Sequence, residues 1–176
     1  IAAEIIEDKY SENDRLYKLA YHYLKGDKRN KAYLYNLKAG RQAISSFSFK
    51  LAVNFFMNAL EIVKKFGLKA EKTVKARINL SLEIVEYNLQ LGEMHANITL
   101  LEELLPFAQE INDKENIAKI YFFLGKSYYL SGDQSKSLMN FNKVIPIAEE
   151  LNLKELLVLP YCAIGRVNVF ICYYKE

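Results

Sequence analysis

Two ten-residue stretches, forty residues apart, decide the fold of this chain. Residues 106–115 read PFAQEINDKE and residues 146–155 read PIAEELNLKE, and the two share Pro, Ala, Asn, Lys and two Glu at the same positions. The same offset pairs further residues, namely Gly92 with Gly132, Leu101 with Phe141, Tyr121 with Tyr161, Leu124 with Ile164, and Gly125 with Gly165. Self-similarity at a fixed period of this length is typical of stacked structural repeats.

The composition predicts an all-helical chain. Only three prolines and seven glycines interrupt the 176 residues, and the alternation of apolar and polar residues that marks strands is nearly absent. We expect about eight helices with short joins, which place neighbouring helices antiparallel. The expected breaks lie at Gly26–Asp27, Ser45–Ser48, Phe66–Leu68, Gly92–Glu93, Asn112–Asp113, Ser131–Asp133 and Asn152.

Each repeat is predicted to be a helix, a turn that carries Gly, a second helix and a short link. One such pair cannot bury its apolar faces alone, so consecutive pairs must stack. The prediction is an all-α, antiparallel helix-hairpin solenoid that forms a single domain over residues 1–176. Pro106 and Pro146 are expected in equivalent settings at the hinge between repeats, where Pro interrupts the helical hydrogen bonds and Asn tolerates a left-handed conformation.

The stretch from Ala118 to Phe141 resembles the tetratricopeptide repeat (TPR) family. The family pattern of small, aromatic, Leu-Gly, aromatic, turn Gly-Asp, small and aromatic residues is matched at Ala118, Tyr121, Leu124, Gly125, Tyr128, Gly132, Asp133, Ser137 and Phe141. Ser137 and Val144 stand where the family usually has Ala. The resemblance implies a TPR-like superhelix in which Gly125 lets two helices approach, while Tyr121 and Phe141 fill the space between pairs.

Two weaker copies of the pattern lie nearer the amino end. One uses Leu19, Ala20, Tyr23, Ala32 and Ala39, and the other uses Ala52, Phe56 and Ala59. Residues 19–40 and 52–63 resemble the helical repeats that follow the ATPase module in large bacterial signalling proteins, some of them linked to cyclase or kinase domains. This resemblance implies a regulatory or sensor region. No nucleotide site comes with it, because Gly125-Lys126-Ser127 lacks the preceding spaced Gly of a phosphate-binding loop.

The TPR resemblance also implies a protein-interaction scaffold, since the first helix of each TPR pair lines the concave face. The positions of that helix that packing does not use are the candidate contacts for a peptide or protein. These are Lys119, Phe122, Lys126 and Tyr129 and, forty residues on from the last three, Cys162, Arg166 and Val169. Cations among large aromatics suit an extended or helical peptide of acidic character. Ordinary surface or packing roles are the simpler interpretation of each residue.

Nothing in the sequence predicts catalysis, a cofactor or a metal. The adjacent carboxylates Glu102–Glu103 and Glu149–Glu150 point about 100° apart on a helix and do not converge on one substrate atom. His22 and His95 have no Cys, Asp or Glu at ligand spacing. The chain is therefore predicted not to be an enzyme.

The two cysteines, Cys162 and Cys172, are too few for a disulfide framework. Free Cys usually behaves as a small buried hydrophobic residue. We expect both to be reduced packing residues.

The charge is unevenly distributed. From Arg15 to Arg77 there are fifteen Lys and Arg against three acidic residues, whereas Ile78 to Asn116 carries eight acidic residues and one Lys. A basic half attracts acidic partners or nucleic acid, so a nucleic-acid-binding helical array is an alternative function. A Lys-rich solvated surface explains the same pattern, and nucleic acid is not the favoured partner.

The carboxy end predicts a further contact surface. The last helix, expected from about Lys154 to Tyr173, corresponds to a first helix without its second helix, which uncovers the stripe of Ile164, Val167 and Ile171. Uncovered apolar stripes mark contacts, so self-association into a homo-oligomer through this helix, or a purely structural spacer role, is the second alternative function.

The sequence also indicates where the protein works. Its apolar runs are too short to cross a bilayer and no signal peptide is recognised, so the expected location is the cytoplasm. The start at Ile1 and the abrupt end in YYKE suggest a piece of a longer protein.

Overall fold

The described residues fold into α-helices. The computed structural model describes residues 12–26, 28–66 and 71–173, with side chains described for 15–26, 28–65 and 73–166. The helices are α1 (Glu12–Lys25), α2 (Arg29–Ser45), α3 (Phe49–Phe66), α4 (Glu71–Leu91), α5 (Met94–Glu110), α6 (Lys114–Ser131), α7 (Gln134–Glu150) and α8 (Val158–Tyr173), with a 3₁₀ turn at Lys154–Leu156. Within these ranges there is no strand, which confirms the predicted all-α fold of about eight helices.

The helices form two compact units. The first unit spans residues 1–92 and the second spans residues 93–176. In each unit, consecutive helices pack against one another, α1 to α4 in the first and α5 to α8 in the second. This is the predicted packing of consecutive helix pairs. That the whole chain is one repeat domain stays a prediction.

A glycine packed against a phenylalanine sets the close approach of one helix pair in each unit. A Cβ added to Gly125 of α6 would lie 2.5 Å from Cδ1 of Phe141 on α7, and a Cβ added to Gly40 of α2 would lie 2.4 Å from Cε1 of Phe56 on α3. Both rings are fully buried. Only a residue without a side chain leaves room for the ring at these distances.

This contact corrects two details of the sequence analysis. Phe141 lies within a helix pair, against Gly125, rather than between pairs. Counting back 85 positions from Leu124, Gly125, Ser137, Phe141 and Val144 gives Ala39, Gly40, Ala52, Phe56 and Ala59. The spacing of the pattern places Ala39 in one amino-terminal copy and Ala52 in another, but the Gly40–Phe56 contact places them in one pair.

The residues after the helices take the left-handed conformations that the turn chemistry predicts. Gly92 and Gly132 have φ of 79° and 89°, and Asn112 and Asn152 have φ of 50° and 56°. Glycine has no side chain to clash in this region, and Asn tolerates it better than most residues. The predicted breaks at Gly92, Asn112, Gly132 and Asn152 are therefore confirmed.

Aspartates cap the two helices that follow two of these turns. The Asp113 side chain accepts a hydrogen bond from the Asn116 backbone N–H at 3.2 Å at the start of α6. At the start of α7, Asp133 accepts from the Lys136 N–H at 3.0 Å. Each bond satisfies a donor that the first turn of a helix leaves unpaired.

The two repeated prolines occupy equivalent settings, as predicted, but they are not hinges. Pro106 lies inside α5 and Pro146 inside α7, and residues 101–110 and 141–150 share the same sequence of buried and exposed positions. Each helix continues for four residues past its proline. Both prolines are exposed, so water can reach the carbonyl that each one leaves without a donor. The hinge between repeats is the left-handed Asn.

The last helix begins later than the sequence predicts. Lys154–Leu156 form a 3₁₀ turn and α8 starts at Val158, which puts Pro160 in its first turn. Pro lacks an N–H and its ring would clash with the carbonyl four residues back in an α-helix begun at Lys154. In the first turn of a helix, the missing N–H breaks no helical hydrogen bond and the ring meets no helical carbonyl. The first helical bond after it runs from the Tyr161 N–H to the Leu157 carbonyl at 3.1 Å.

One prediction for the carboxy end is wrong, and others concern side chains outside the described residues. Cys162 is a free, exposed thiol and not a buried packing residue. It belongs to the side of α8 that no other described helix covers. Ile164 is half-buried. The side chains of Val167, Val169, Ile171 and Cys172 lie outside the described residues. In the described part of the chain, no helix combines the length and apolar character needed to cross a membrane.

Candidate functional site

The best candidate for a ligand surface is on α6, in the second unit. Ala118 and Gly125 of this helix are buried against α7. Other residues around the helix are buried as well, among them Ile120, Leu124 and Ser127. Between Asn116 and Tyr129 no residue of α6 is fully exposed, whereas α7 exposes nine positions over Gln134–Glu150. The first helix of this pair is therefore recessed and the second helix is the outer one.

The predicted ligand residues of α6 form one row along the recessed helix. Lys119, Phe122, Lys126 and Tyr129 follow at intervals of three, four and three residues, which places them on one helical face. All four are half-buried. A half-buried row keeps its polar atoms within reach of a ligand while its stems are held by packing.

Two of the predicted contacts from different repeats meet. The Arg166 Nη1 of α8 donates a hydrogen bond to the Tyr129 hydroxyl of α6 at 2.6 Å. Arg166 is exposed and Tyr129 is half-buried. The side chains of the two first helices therefore belong to one continuous surface, which we call the first-helix row and define as Lys119, Phe122, Lys126, Tyr129 and Arg166.

Phe122, one of the two aromatic residues of this row, is anchored in the core. Phe122 packs against the buried cluster of Ala118, Val144, Ala148 and Leu156. Its ring lies 6.3 Å from that of Phe141 and meets Phe123 edge-on at 5.5 Å. Anchoring of this kind fixes the ring before any ligand arrives, which lowers the entropy cost of binding.

The cations of the row are not equivalent. Lys119 pairs with Glu115, one turn earlier on α6. Glu115 was not among the predicted residues, although an acidic residue four positions before a Lys on a helix signals such a pair. Lys126 and Arg166 therefore provide the positive charge of the first-helix row.

The other predicted residues of α8 are placed only in part. Cys162 is exposed and lies one turn before Arg166. The hydroxyl of its neighbour Tyr161 donates a hydrogen bond to Glu149 of α7. This bond is the main cause that raises the pKa of Tyr161, and burial is the second. Val169 lies outside the described side chains.

Tyr128 makes a similar contact to the helix before it. Its hydroxyl donates to Glu102 of α5 at 2.9 Å, and the Lys136 ammonium lies 5.2 Å from the centre of its ring. Burial, followed by the Glu102 hydrogen bond, raises the pKa of Tyr128. Glu102 and Glu149 thus hold tyrosines in place, which gives these two members of the adjacent carboxylate pairs a structural role.

Two pairs of aromatic rings in the basic first unit stack on each other. The Tyr17 ring stacks on Phe55 at 5.3 Å, and the buried Tyr23 ring stacks on Tyr35 at 5.2 Å. Lysines lie over these rings, with the Lys31 ammonium 5.1 Å from Tyr23 and that of Lys38 5.6 Å from Tyr35. These rings are stacked on other side chains of the chain and not presented as platforms for bases.

The first unit also contains an open cavity of about 410 Å³ among α1, α2 and α3. Its lining combines Arg29 and Lys65 with Glu61 and the amide of Asn58. The mixed charge gives the cavity no single ligand chemistry. In the part of the chain that is described, no group of three His, Cys, Asp or Glu residues is placed to hold a metal ion.

A search of solved structures finds similar architecture in a TPR-like protein. The chain matches the crystal structure of a putative kinesin light chain from Podosopora anserina, described as having nearly identical TPR-like repeats, with a TM-score of 0.67 over 88% of this chain and 77% of that one. The fold is that of TPR-like helical repeats. The sequences are 15% identical, so the match concerns the fold alone.

Sequence comparison adds no relative. No protein-family model matches the sequence, and no curated protein matches it.

Proposed function

We propose that this TPR-like chain is a non-catalytic protein-interaction scaffold and that the first-helix row of the second unit binds an acidic peptide or protein segment. The observation that carries the proposal is the hydrogen bond between Tyr129 and Arg166, which joins residues of two repeats into one surface. Peptides that lie across several repeats need such continuity, because each repeat contributes only a few contacts.

The chemistry of the row supports an acidic ligand with apolar side chains. Lys126 and Arg166 offer ammonium and guanidinium donors, and Arg binds carboxylates through two parallel N–H groups. Phe122 and Tyr129 offer aromatic surface that is already held in place. Aromatic residues and Arg are the residue types that contribute most to binding at protein interfaces.

The biological setting is part of the same proposal. The resemblance of residues 19–40 and 52–63 to repeat tails of bacterial ATPase-containing proteins supports a regulatory or sensor region of a larger cytoplasmic signalling protein. In that role the first-helix row would recognise a segment of a partner protein and carry no chemistry of its own.

A peptide-binding titration tests the proposal. The probe is a fluorescein-labelled dodecapeptide of Asp, Glu, Leu and Phe, and its control has Lys in place of each acid. We expect the acidic peptide to bind, and the paired variant Lys126→Glu with Arg166→Glu to weaken it by about tenfold or more, since opposed charges become like charges. Fluorescence anisotropy gives the affinity.

Lys136→Glu with Lys143→Glu is the matched control, because it makes the same two charge reversals on α7, the outer helix. Equal losses in the control and in the paired variant, or equal binding of the acidic and basic peptides, would contradict the proposal. Tight binding of single-stranded DNA or RNA that falls steeply with salt would instead favour the nucleic-acid alternative.

Self-association through α8 is a second candidate function. The half-buried Ile164 and the exposed Tyr161 and Cys162 leave part of this helix uncovered within the described residues. We expect light scattering to detect a concentration-dependent dimer that Val167→Glu with Ile171→Glu dissociates. A strictly monomeric parent at high concentration would argue against it.

A further inference from the structure

Four turns between consecutive helices share one hydrogen-bond pattern. In each turn, one residue has a positive φ and the N–H of the next residue donates to the carbonyl five positions earlier, a common way to end a helix. The four bonds are Ser48 N–H to Ala43 O at 2.8 Å, Asp113 to Ala108 at 3.0 Å, Asp133 to Tyr128 at 3.0 Å, and Leu153 to Ala148 at 2.8 Å. The positive-φ residues are Phe47, Asn112, Gly132 and Asn152.

Phe47 is the exception among these four residues. Its φ is 56°, where a residue with a bulky side chain is strained, and its side chain is 82% exposed. Neither backbone preference nor burial therefore favours Phe at this position. Gly or Asn, which this chain uses in the other three turns, meets the backbone requirement at lower cost. An outlier of this kind points to a role outside folding.

The Phe47 ring is the outer end of a row of aromatic rings. It meets the Phe49 ring edge-on at 6.3 Å, and Phe49 stacks on Tyr87 of α4 at 5.7 Å. Tyr87 in turn lies 6.2 Å from Phe56, the fully buried ring that packs against Gly40. The exposed ring is thus connected through half-buried rings to the core of the first unit.

Two carboxylates, those of Glu83 and Glu86, lie near Tyr87 on α4 and affect its ionisation. Burial, then Glu83, then Glu86 raise the pKa of Tyr87. The pKa of Glu83 is raised by burial and by Glu86, and Arg41 opposes the shift. Among the charged groups that shift these two pKa values, carboxylates outnumber the guanidinium by two to one. This balance is opposite to that of the stretch from Arg15 to Arg77, where fifteen basic residues stand against three acidic ones.

We propose that Phe47, Phe49, Tyr87, Glu83 and Glu86, the Phe47 patch, form a docking site for a partner segment that carries an apolar side chain next to Lys or Arg. The exposed Phe47 ring contacts the apolar side chain, and the carboxylates attract the cation. Aromatic faces also attract cations directly, which adds to the same selectivity. The site belongs to the first unit, takes a basic ligand, and does not depend on the proposed function of the first-helix row.

Substitution of Phe47 by Asn separates binding from folding. Asn112 and Asn152 adopt the same turn, so Phe47→Asn keeps the backbone and removes only the exposed ring. The thermal midpoint is expected to stay the same or to rise. Leu34→Asn is the matched control, because Leu34 is another exposed apolar residue, at 47%, in the same unit.

The probe is a synthetic dodecapeptide of Leu, Lys and Ser, compared with one that has Glu for Lys and one that has Ser for Leu. We expect the Leu–Lys peptide to bind the parent about tenfold or more tightly than either relative, and Phe47→Asn to remove that advantage, as for an anchor residue in an interface. Leu34→Asn should bind like the parent, and Glu86→Gln should weaken binding most at low salt.

Three outcomes would overturn the proposal. They are equal binding of the Leu–Lys and Leu–Glu peptides, unchanged binding by Phe47→Asn, and an absence of Leu–Lys binding to the parent. Light scattering adds a fourth: if the parent dimerises and Phe47→Asn is monomeric, a second copy of the chain occupies the patch and the basic partner is excluded.

Discussion

The pair α2–α3 in the first unit and the pair α6–α7 in the second are built on the same contact, but different residues take the positive φ in their turns. In both, a glycine on one helix accepts the ring of a buried Phe sixteen residues later, Gly40 with Phe56 and Gly125 with Phe141. The turn of the second pair ends in Gly132, whereas that of the first ends in the exposed Phe47. Packing dictates the shared contact, and the turn is where the chain departs from what folding requires.

Loss of either buried ring should have the largest effect on stability. Phe56→Ala and Phe141→Ala each remove a fully buried side chain, and we expect a loss of about 3 to 5 kcal/mol in the free energy of unfolding because a cavity remains. Urea unfolding followed by circular dichroism measures the loss. Met139→Ala is the control on α7, since Met139 is 52% exposed. Similar losses in the control and in Phe141→Ala would contradict the special contribution of the buried ring to stability.

A side chain at either glycine should cost less, because the ring can shift. Gly40→Ala and Gly125→Ala introduce a Cβ at 2.4 and 2.5 Å from a ring carbon, and overpacking of this kind costs about 1 to 3 kcal/mol, partly offset by up to about 1 kcal/mol of helix propensity. Gly165→Ala on α8 is the control, since its Cβ would meet nothing within 4 Å. It should be neutral or stabilising.

A double substitution sharpens this prediction. If the ring is what the new Cβ meets, Phe141→Leu should recover part of the loss caused by Gly125→Ala, and the two changes should be non-additive. Strictly additive losses would show that Gly125 and Phe141 do not limit each other.

The two turns should respond to exchanged residues with opposite signs. Gly132→Phe puts a bulky residue at φ of 89°, and we expect a loss of about 1 to 2 kcal/mol, whereas Phe47→Asn should gain up to about 1 kcal/mol from relief of the same strain. Differential scanning calorimetry compares the thermal midpoints. A lower midpoint for Phe47→Asn would mean that the Phe47 ring stabilises the turn, contrary to its assignment as a binding residue.

The smallest effect concerns Glu83, beside the aromatic row of the first pair. Burial raises the pKa of Glu83, so the folded chain holds this proton more tightly than the unfolded chain does. Ionisation therefore opposes folding, and stability falls as pH rises from the ordinary carboxyl pKa through the raised one. Glu83→Gln should be more stable than the parent above this window, and the advantage should disappear below it. A difference that does not change with pH would contradict this explanation.

Much of the fold could be predicted because local chemistry and packing agree. The positions of Gly92, Asn112, Gly132 and Asn152 mark the helix ends, since those residues tolerate left-handed backbone conformations. The repeated stretches at Pro106 and Pro146 predicted equivalent environments, which the structure has. The late start of α8 was missed because the period of forty residues took precedence over Pro160, which fits only the first turn of a helix.

The candidate site could be predicted only in part. Helical spacing groups Lys119, Phe122, Lys126 and Tyr129 on one face, because that spacing depends on the helix alone. The pairing of Tyr129 with Arg166 depends on where α8 lies relative to α6, and so needed the structure. The strain at Phe47 was also hidden, because the break at Ser45–Ser48 could be predicted without knowing which residue would take the positive φ.

Binding of an acidic peptide to the first-helix row is tested most directly by a nuclear magnetic resonance titration of the ¹⁵N-labelled chain with the unlabelled acidic dodecapeptide. We expect chemical-shift changes centred on α6 from Lys119 to Tyr129 and on α8 around Arg166, the surface that the Tyr129–Arg166 hydrogen bond joins. We expect little change along the outer helix α7. Changes concentrated on α7, or an absence of changes on α6 and α8 at saturating peptide, would contradict this expectation.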